Sequence, residues 1–316
     1  MKTSILGKTG IRVTEMGHGT LILGKLQAQL SPEEGAEALK RSYELGVRFI
    51  DTAQLYEVYP HIRKFLDEIK PNDVVIASKS HAKTFEEMNN AVEECLKALN
   101  LKHIDIFHLH ALFDDEDLKN RNGALDALIK CKEKGTIRAI GISSHSVKGM
   151  KAVKNIGEIE IVHPILNKNC LGLVEGTKEE LINELSSLRK RGVGAYAMKI
   201  FAGGHYINDM ENCLQYVRQT GLVDAMAVGM KTPQEVEMDV KLFERGYLDE
   251  NDRKILSSFK KKLIIYDRCK RCGKCVKACQ QGAMVLGPKK AENITSKCIL
   301  CGYCAKSCPE FVIRVI

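Results

Sequence analysis

No apolar run in this chain approaches the ~18–20 residues of a membrane-spanning helix, and its opening, MKTSILGKTG, lacks the hydrophobic core of a signal peptide. These absences argue against a membrane partner and lead us to expect a soluble, cytoplasmic protein. No G-x-G-x-x-G stretch follows any apolar run, so a doubly wound dinucleotide-binding sheet is disfavoured. No Pro/Gly-rich spacer divides the chain, and no aromatic array accompanies its basic residues.

What the chain does hold is concentrated at its end. Eight of its twelve cysteines lie within residues 269–308. Cys269, Cys272, Cys275 and Cys279 form C-x2-C-x2-C-x3-C; Cys298, Cys301, Cys304 and Cys308 repeat the spacing and add Pro309. Three thiolates on one tight loop can hold three corners of a cubane, and in two-cluster ferredoxins the fourth cysteine of each run ligates the other cluster. That pattern assigns Cys269, Cys272, Cys275 and Cys308 to one [4Fe-4S] cluster, and Cys279, Cys298, Cys301 and Cys304 to a second. Zinc prefers separated CxxC knuckles. Disulfides do not suit a reducing cytosol, and free thiols at this density would oxidise. Gln280 departs from the ferredoxin pattern by standing where proline would follow Cys279. Cys95, Cys131, Cys170 and Cys213 are scattered singly and are expected to be buried or idle thiols.

The charge follows the cysteines. The net charge is +8, and residues 266–316 hold ten Lys and Arg against three acids, which accounts for nearly all of it. A basic tail can mark nucleic-acid binding, but without aromatic side chains this one more simply offsets cluster charge or meets an acidic redox protein. We expect no nucleic-acid partner.

Before the cysteines, strand-like runs alternate with amphipathic stretches. VRFID, DVVIASK, HIDIFHLH and IRAIGISS precede helical patterns near 60–69, 84–99, 120–134 and 146–154. EIVHPILN, GVGAYAMK and DAMAVGM continue the series, and TEMGHGT begins it. Eight strand–helix units in about 245 residues predict a (β/α)8 barrel, with TSILGKTGIRVTEMG as a hairpin before it. The domains read as a barrel over 1–245, a helical linker over 246–265 (Ile255, Leu256, Phe259, Leu263), and a ferredoxin-like domain over 266–316. With no spacer between them, the domain is expected to pack on the barrel, with at least one cluster near its rim.

Reactive groups in such barrels sit at the C-terminal ends of strands. Three consecutive strands end at Asp51, Lys79 and His110, and Tyr56 follows Asp51 closely enough to fold back over the mouth. A Tyr, a Lys, a His and an Asp converging there make a proton-transfer site. The ammonium of Lys79 is expected to lower the pKa of Tyr56 from about 10.

These residues resemble the aldo-keto reductases across 1–245, on LGKTGIRVTEMGHGT, FIDTAQLY, the lysine of VVIASK, the histidine of IDIFHLH, and IGISS. The resemblance implies catalysis by Tyr56 as general acid, Lys79 and Asp51 as its tuners, and His110 orienting the carbonyl. It implies NADPH or NADH extended over the mouth, near Thr20, Ser143, Ser144, Asn167, Met198 and Lys199, with Lys231 and Thr232 by the adenosine phosphate. His163 stands where the family has Gln, Met198 where it has a stacking aromatic, and Glu235 where NADPH-preferring members have arginine. The family's C-terminal loop gives way to the cluster domain, and a subset of the family with such a two-cluster domain looks nearest.

The expected reaction is reduction of a small neutral carbonyl compound, an aldehyde, ketone or quinone. Leu21, Ile22, Leu112, Phe113, Phe201 and Tyr206 would line its pocket, with no arginine clamp for an anion. The clusters could transfer electrons, for which FMN is the usual kind of mediator. They could instead staple a tail of about 50 residues that lacks its own core. Or the barrel could be a docking platform for a ferredoxin-type carrier in a larger redox complex. All three remain open at this stage.

Overall fold

The alternating runs fold as a closed ring of eight parallel strands. The computed structural model describes residues 1–24, 27–204, 206–258, 262–279, 282–298 and 303–315. The chain opens with an antiparallel hairpin, β1 (Thr3–Ile5) and β2 (Arg12–Thr14), in register Thr3 to Thr14. The barrel follows: β3 (Met16–Gly19), β4 (Phe49–Asp51), β5 (Val75–Ser80), β6 (Ile104–Leu109), β7 (Ile137–Ser144), β8 (Ile161–Pro164), β9 (Gly194–Met198) and β10 (Ala225–Gly229). Pairing of β10 with β3 closes the ring.

Alternate strand residues point inward. One apolar layer inside the barrel takes Phe49, Ala77, Ile106, Ala139, Ile161, Tyr196 and Ala225 from seven strands, and the hairpin plugs it with Leu6, Ile11 and Val13. The other strand face packs on the outer helices. Helix Phe85–Leu99 buries Met88, Ala91, Val92, Cys95 and Leu99, the spacing of a one-sided helix. Its start is fixed by a capping box, Thr84 accepting from the Glu87 amide while the Glu87 carboxylate accepts from the Thr84 amide. Ser31 with Glu34 and Thr177 with Glu180 repeat the device. All four isolated cysteines, Cys95, Cys131, Cys170 and Cys213, are buried free thiols. No helix among the described residues is long and apolar enough to cross a membrane.

After the last barrel helix, Pro233–Arg245, comes helix Glu250–Ser258. The linker was expected to stay helical through Leu263. Instead Leu263–Ile265 is a strand, β11, paired antiparallel with Ile313–Val315. A helical pattern is overridden here by pairing to a partner some fifty residues on, so the module's sheet begins inside the expected linker. Phe259, Gln280 and Cys301 lie outside the described residues. A second hairpin, β12 (Met284–Leu286) with β13 (Ala291–Asn293), lies between, and the far strand of the first pair is β14 (Ile313–Val315). Cys275, Cys304 and Cys308 are buried with Met284, Ala291, Ala305, Val312 and Ile313.

The module lies on the C-terminal mouth of the barrel. Gly172 has φ +103, and a β-carbon there would overlap the ring of Phe311; one on Gly203, φ +65, would overlap Nη1 of Arg314. The Phe311 ring also carries Lys199 Nζ at 4.5 Å and Arg314 Cζ at 5.4 Å from its centroid. Two barrel glycines thus make room for two module side chains.

Candidate active site

The end of β4 delivers Asp51 opposite Ala77 of β5, and Lys79, two residues further along the same strand face, reaches it with its ammonium. Lys79 is 1% exposed. Its ammonium spends its three protons on Asp51 Oδ1 and Oδ2, both at 2.8 Å, and on the Thr52 carbonyl at 2.7 Å. Burial of the charge lowers the Lys79 pKa, with Asp51 opposing the shift. Such a pair tolerates burial because every proton is matched.

Beneath it lies a polar layer. The Tyr196 hydroxyl donates to Asp51 Oδ1 at 2.8 Å, and its oxygen lies 2.8 Å from His108 Nε2. His163 stacks on Tyr196 at 3.9 Å and places Nε2 3.7 Å from Asp51 Oδ1. Gly141 leaves room for the His108 ring, which any β-carbon there would overlap. Tyr196 and His108 were not anticipated. The signal available was parity: His108 precedes His110 by two residues, and Tyr196 precedes Met198 by two, which puts each pair on one strand face.

Tyr56 ends the short helix Gln54–Tyr56, which Glu57 terminates at φ +56. Its ring centroid lies 5.2 Å from Lys79 Nζ and meets His110 edge-on at 5.8 Å. The expected lowering of its pKa is not found. Burial and the Asp51 carboxylate push it above the ordinary phenol range, and the opposing cation is Arg314. The physical reason is that Lys79 is already neutralised by Asp51. Burial, then the neighbouring His81 and Lys79, holds the pKa of His110 well below the imidazole range. His110 is therefore neutral, and His81 stacks on it at 4.2 Å.

Asp51, Tyr56, Lys79 and His110 border one cavity of about 770 Å3. Of the candidate cofactor contacts, Met198, Lys199 and Lys231 border it too. Thr20, Ser143, Ser144, Asn167 and Thr232 do not. The Thr20 hydroxyl donates to the Asp51 carbonyl at 3.1 Å, Ser143 accepts from the Ala111 amide, and Ser144 donates to the Leu112 carbonyl at 2.6 Å. Asn167 ties Leu171 to Lys199, and Thr232 caps the final barrel helix. Strand-end residues unforeseen from sequence, His81 and His145, border the cavity instead, with His145 Nε2 3.1 Å from Met198 Sδ.

Of the expected substrate contacts, Leu21, Ile22 and Phe201 border the cavity. Leu112 is fully buried behind it, Phe113 is 45% exposed away from it, and the Tyr206 hydroxyl accepts from Asn169. The expectation that no arginine serves the pocket is overturned. Arg268 and Arg314 border it, together with Pro309, Glu310 and Phe311, all from the module. No scan of the barrel strands could have supplied them.

Among the described residues of the module, no cysteine is in a disulfide. Cys275 lies within electrostatic reach of Cys308 and Cys269, and its pKa is raised by burial and then by Cys308. Backbone amides of Arg271 and Ala291 point at Cys269 Sγ from 3.4 and 3.5 Å, and that of Ala283 at Cys279 Sγ from 3.2 Å. Amide protons aimed at sulfur favour thiolate and suit iron-sulfur ligation. The chemistry of these donors suits the group, while among the described residues, which exclude Cys301, no three ligating side chains are gathered as a ready-made metal site.

A sequence model of the aldo/keto reductase family matches residues 15–211, and one of a 4Fe-4S dicluster domain matches 261–309. The protein belongs to the aldo/keto reductase family. Similar curated proteins include L-galactose dehydrogenase of Arabidopsis thaliana, 25% identical over 63% of this chain and 65% of that protein. Methylglyoxal reductase DkgA of Yersinia pestis is 25% identical over 54% of this chain and 64% of its own. The chain thus spans under two thirds of the length of these relatives. Among solved structures, an aldo-keto reductase from Pseudomonas aeruginosa has TM-score 0.67 at 22% identity, covering 77% of this chain and 95% of that one. An aldo-keto reductase complexed with NADPH has TM-score 0.61 at 19% identity, covering 82% and 88%. These structures bear out the barrel, and the dicluster domain follows it as the cysteine spacing predicted.

Proposed function

We propose that the protein reduces the carbonyl group of a small molecule, with Tyr56 giving the proton. The observation that carries this is the convergence of a protonated Tyr56 and a neutral His110 over the Asp51–Lys79 pair in one cavity. A bound nicotinamide would supply a hydride. His110 orients the substrate oxygen by hydrogen bonding, and Tyr56 delivers a proton to that oxygen. Asp51 and Lys79 fix the floor beneath the Tyr56 ring. Met198, Lys199 and Lys231 border the space the cofactor would fill, with His163 beside them. Thr20, Ser143, Ser144, Asn167 and Thr232 support its walls. Glu235 also borders the cavity and accepts from the Lys231 amide at 2.8 Å, a setting unsuited to a 2′-phosphate and better suited to NADH. Names such as methylglyoxal reductase among the relatives support a carbonyl substrate.

For the module we propose two [4Fe-4S] clusters, on Cys269, Cys272, Cys275 and Cys308 and on Cys279, Cys298, Cys301 and Cys304. Clusters of this kind supply single electrons, and FMN would be needed between them and a nicotinamide. Cys269 and Cys308 are chain neighbours of Arg268 and Pro309 in the cavity wall, which favours exchange with the barrel over a purely structural staple. The module's basic side chains suit an acidic redox protein in a reducing cytoplasm.

Two experiments test this reading. Tyr56→Phe should abolish carbonyl reduction and leave the cluster absorbance alone; retained activity would remove Tyr56 from the mechanism. A visible spectrum of anaerobic holoprotein, before and after NADH or NADPH, tests the coupling. Bleaching supports it, and an unchanged spectrum in protein that still reduces a carbonyl leaves the clusters structural.

A further inference from the structure

The module places two arginines at the mouth, and the groups that offset the Arg314 charge are Tyr266, Cys308 and Tyr56, none of them a carboxylate. Arg314 is 4% exposed, and its Nε has no hydrogen-bond partner. Arg268 and Lys199 border the same cavity, and the charges of Arg314 and Arg268 together act on the Lys199 ammonium. No carboxylate is ion-paired to any of the three among the described residues. Of the acids bordering the cavity, Glu310 pairs with Lys270 at 3.1 Å, Asp51 with Lys79 and Glu235 with Lys231, while burial pushes the Asp239 pKa well above the carboxylate range. A buried guanidinium with an unmatched donor is costly to leave so. The barrel is also shaped around it, since only a glycine at position 203 leaves space for Nη1. Phe311, between Lys199 and Arg314, braces both cations against a ring face.

We propose that Arg314, with Arg268 and Lys199, forms an anion subsite, and that the substrate is a carbonyl compound bearing a carboxylate or a phosphate. A guanidinium fork matches either group by paired hydrogen bonds. The same cavity holds Tyr56 and His110, so an anionic group seated on the module leaves the substrate's carbonyl free to reach the barrel's proton donor. The chemistry stays within the proposed reaction: hydride and proton add across the C=O bond, and the anion is a handle that is neither made nor broken. This inference rests on the carbonyl-reduction reading and adds a substrate class to it.

The test uses anaerobic holoprotein with its clusters and compares 4-carboxybenzaldehyde with its methyl ester, which share a carbonyl and differ in charge. The wild type should favour the acid in kcat/KM. Arg314→Met should lower the acid-to-ester ratio by about 10- to 100-fold, mostly through KM. Arg314→Lys should restore part of the loss, since it keeps the charge without the fork. Gly203→Ala, which displaces the guanidinium without deleting it, should move the ratio the same way. A matching pair of phosphorylated and unphosphorylated aldehydes tells whether phosphate is preferred to carboxylate.

An unchanged ratio would overturn the proposal, whether or not the cluster spectrum shifts, because the arginine would then serve the cluster. Weakening of NADH or NADPH affinity in step with the ratio would overturn it too, since the cations would then hold the cofactor's diphosphate. Should the wild type reduce neither aldehyde, the carbonyl-reduction reading fails, and titration with benzoate still decides this one. Binding that weakens at least tenfold in Arg314→Met supports the subsite; equal binding, or none, refutes it.

Discussion

The barrel buries Phe49 and Tyr196 inside its ring of strands and Phe65, Phe107 and Phe243 in the larger core that the helices cover, all almost completely. Among the described residues the module's buried interior is Met284, Ala291, Ala305, Val312 and Ile313 around Cys275, Cys304 and Cys308, with one aromatic, Tyr266, packed partly buried against it. Apolar burial of the first kind holds a fold by itself. The second kind does not, and a domain of that size needs a staple. The two regions nevertheless share a cavity. On the proposed reading, strength lies in the barrel, while part of the recognition surface hangs from a module held by ligation, so that chemistry and specificity can be lost separately.

The sharpest way to break that contrast is to remove one ligand. Cys275→Ala should remove at least one cluster's share of the visible absorption and loosen the module's strands, while the barrel keeps its far-UV circular dichroism and its main thermal transition. Loss of both transitions together would mean the barrel depends on the module. The converse substitution is Tyr56→Phe, for which steady-state kinetics should show a fall in kcat of about 10²- to 10⁴-fold with both transitions intact.

Acid distinguishes the regions next. Burial holds the pKa values of His18 and His163 at about 4. An unfolded histidine takes up its proton near 6.5, so this contribution is fully present above that pH and is lost as pH falls toward 4. By pH 5 each should cost the barrel about 2 kcal/mol relative to pH 8. Urea melts followed by circular dichroism at the two values measure this; equal midpoints would mean the imidazoles charge within the fold. The smallest effect is a cap. Thr84→Ala should destabilise the barrel by about 1 kcal/mol and leave the cluster spectrum unmoved.

Much of the fold could be read before any coordinates. The eight runs become eight strands because each is short and alternates with a helical stretch such as Phe85–Leu99, even where, as in β3 (MGHG) and β9 (GAYAM), no residue is β-branched. The dicluster domain was legible because ligand spacing is a local property. Asp51, Tyr56, Lys79 and His110 share a cavity because strand ends in a barrel converge wherever the eight-fold alternation holds. What sequence could not show was set by distant contact. Leu263 continues a helical pattern and becomes strand only because Arg314 and its neighbours arrive beside it. Arg314 itself gives no local sign of entering the cavity; Gly203, over a hundred residues earlier, makes the room. The direction of the Tyr56 shift was misjudged for a related reason. Sequence showed a nearby ammonium, but only the structure shows that its three protons are committed to Asp51 and Thr52.

The measurement that tests the shared cavity most directly is anaerobic removal of iron from the full chain with a chelator, followed by carbonyl kinetics and a thermal melt. The account predicts that the barrel's transition stays where it was and that KM for 4-carboxybenzaldehyde rises at least tenfold as the Arg314 wall is lost. An unchanged KM after the clusters are gone would show that the module plays no part in the site.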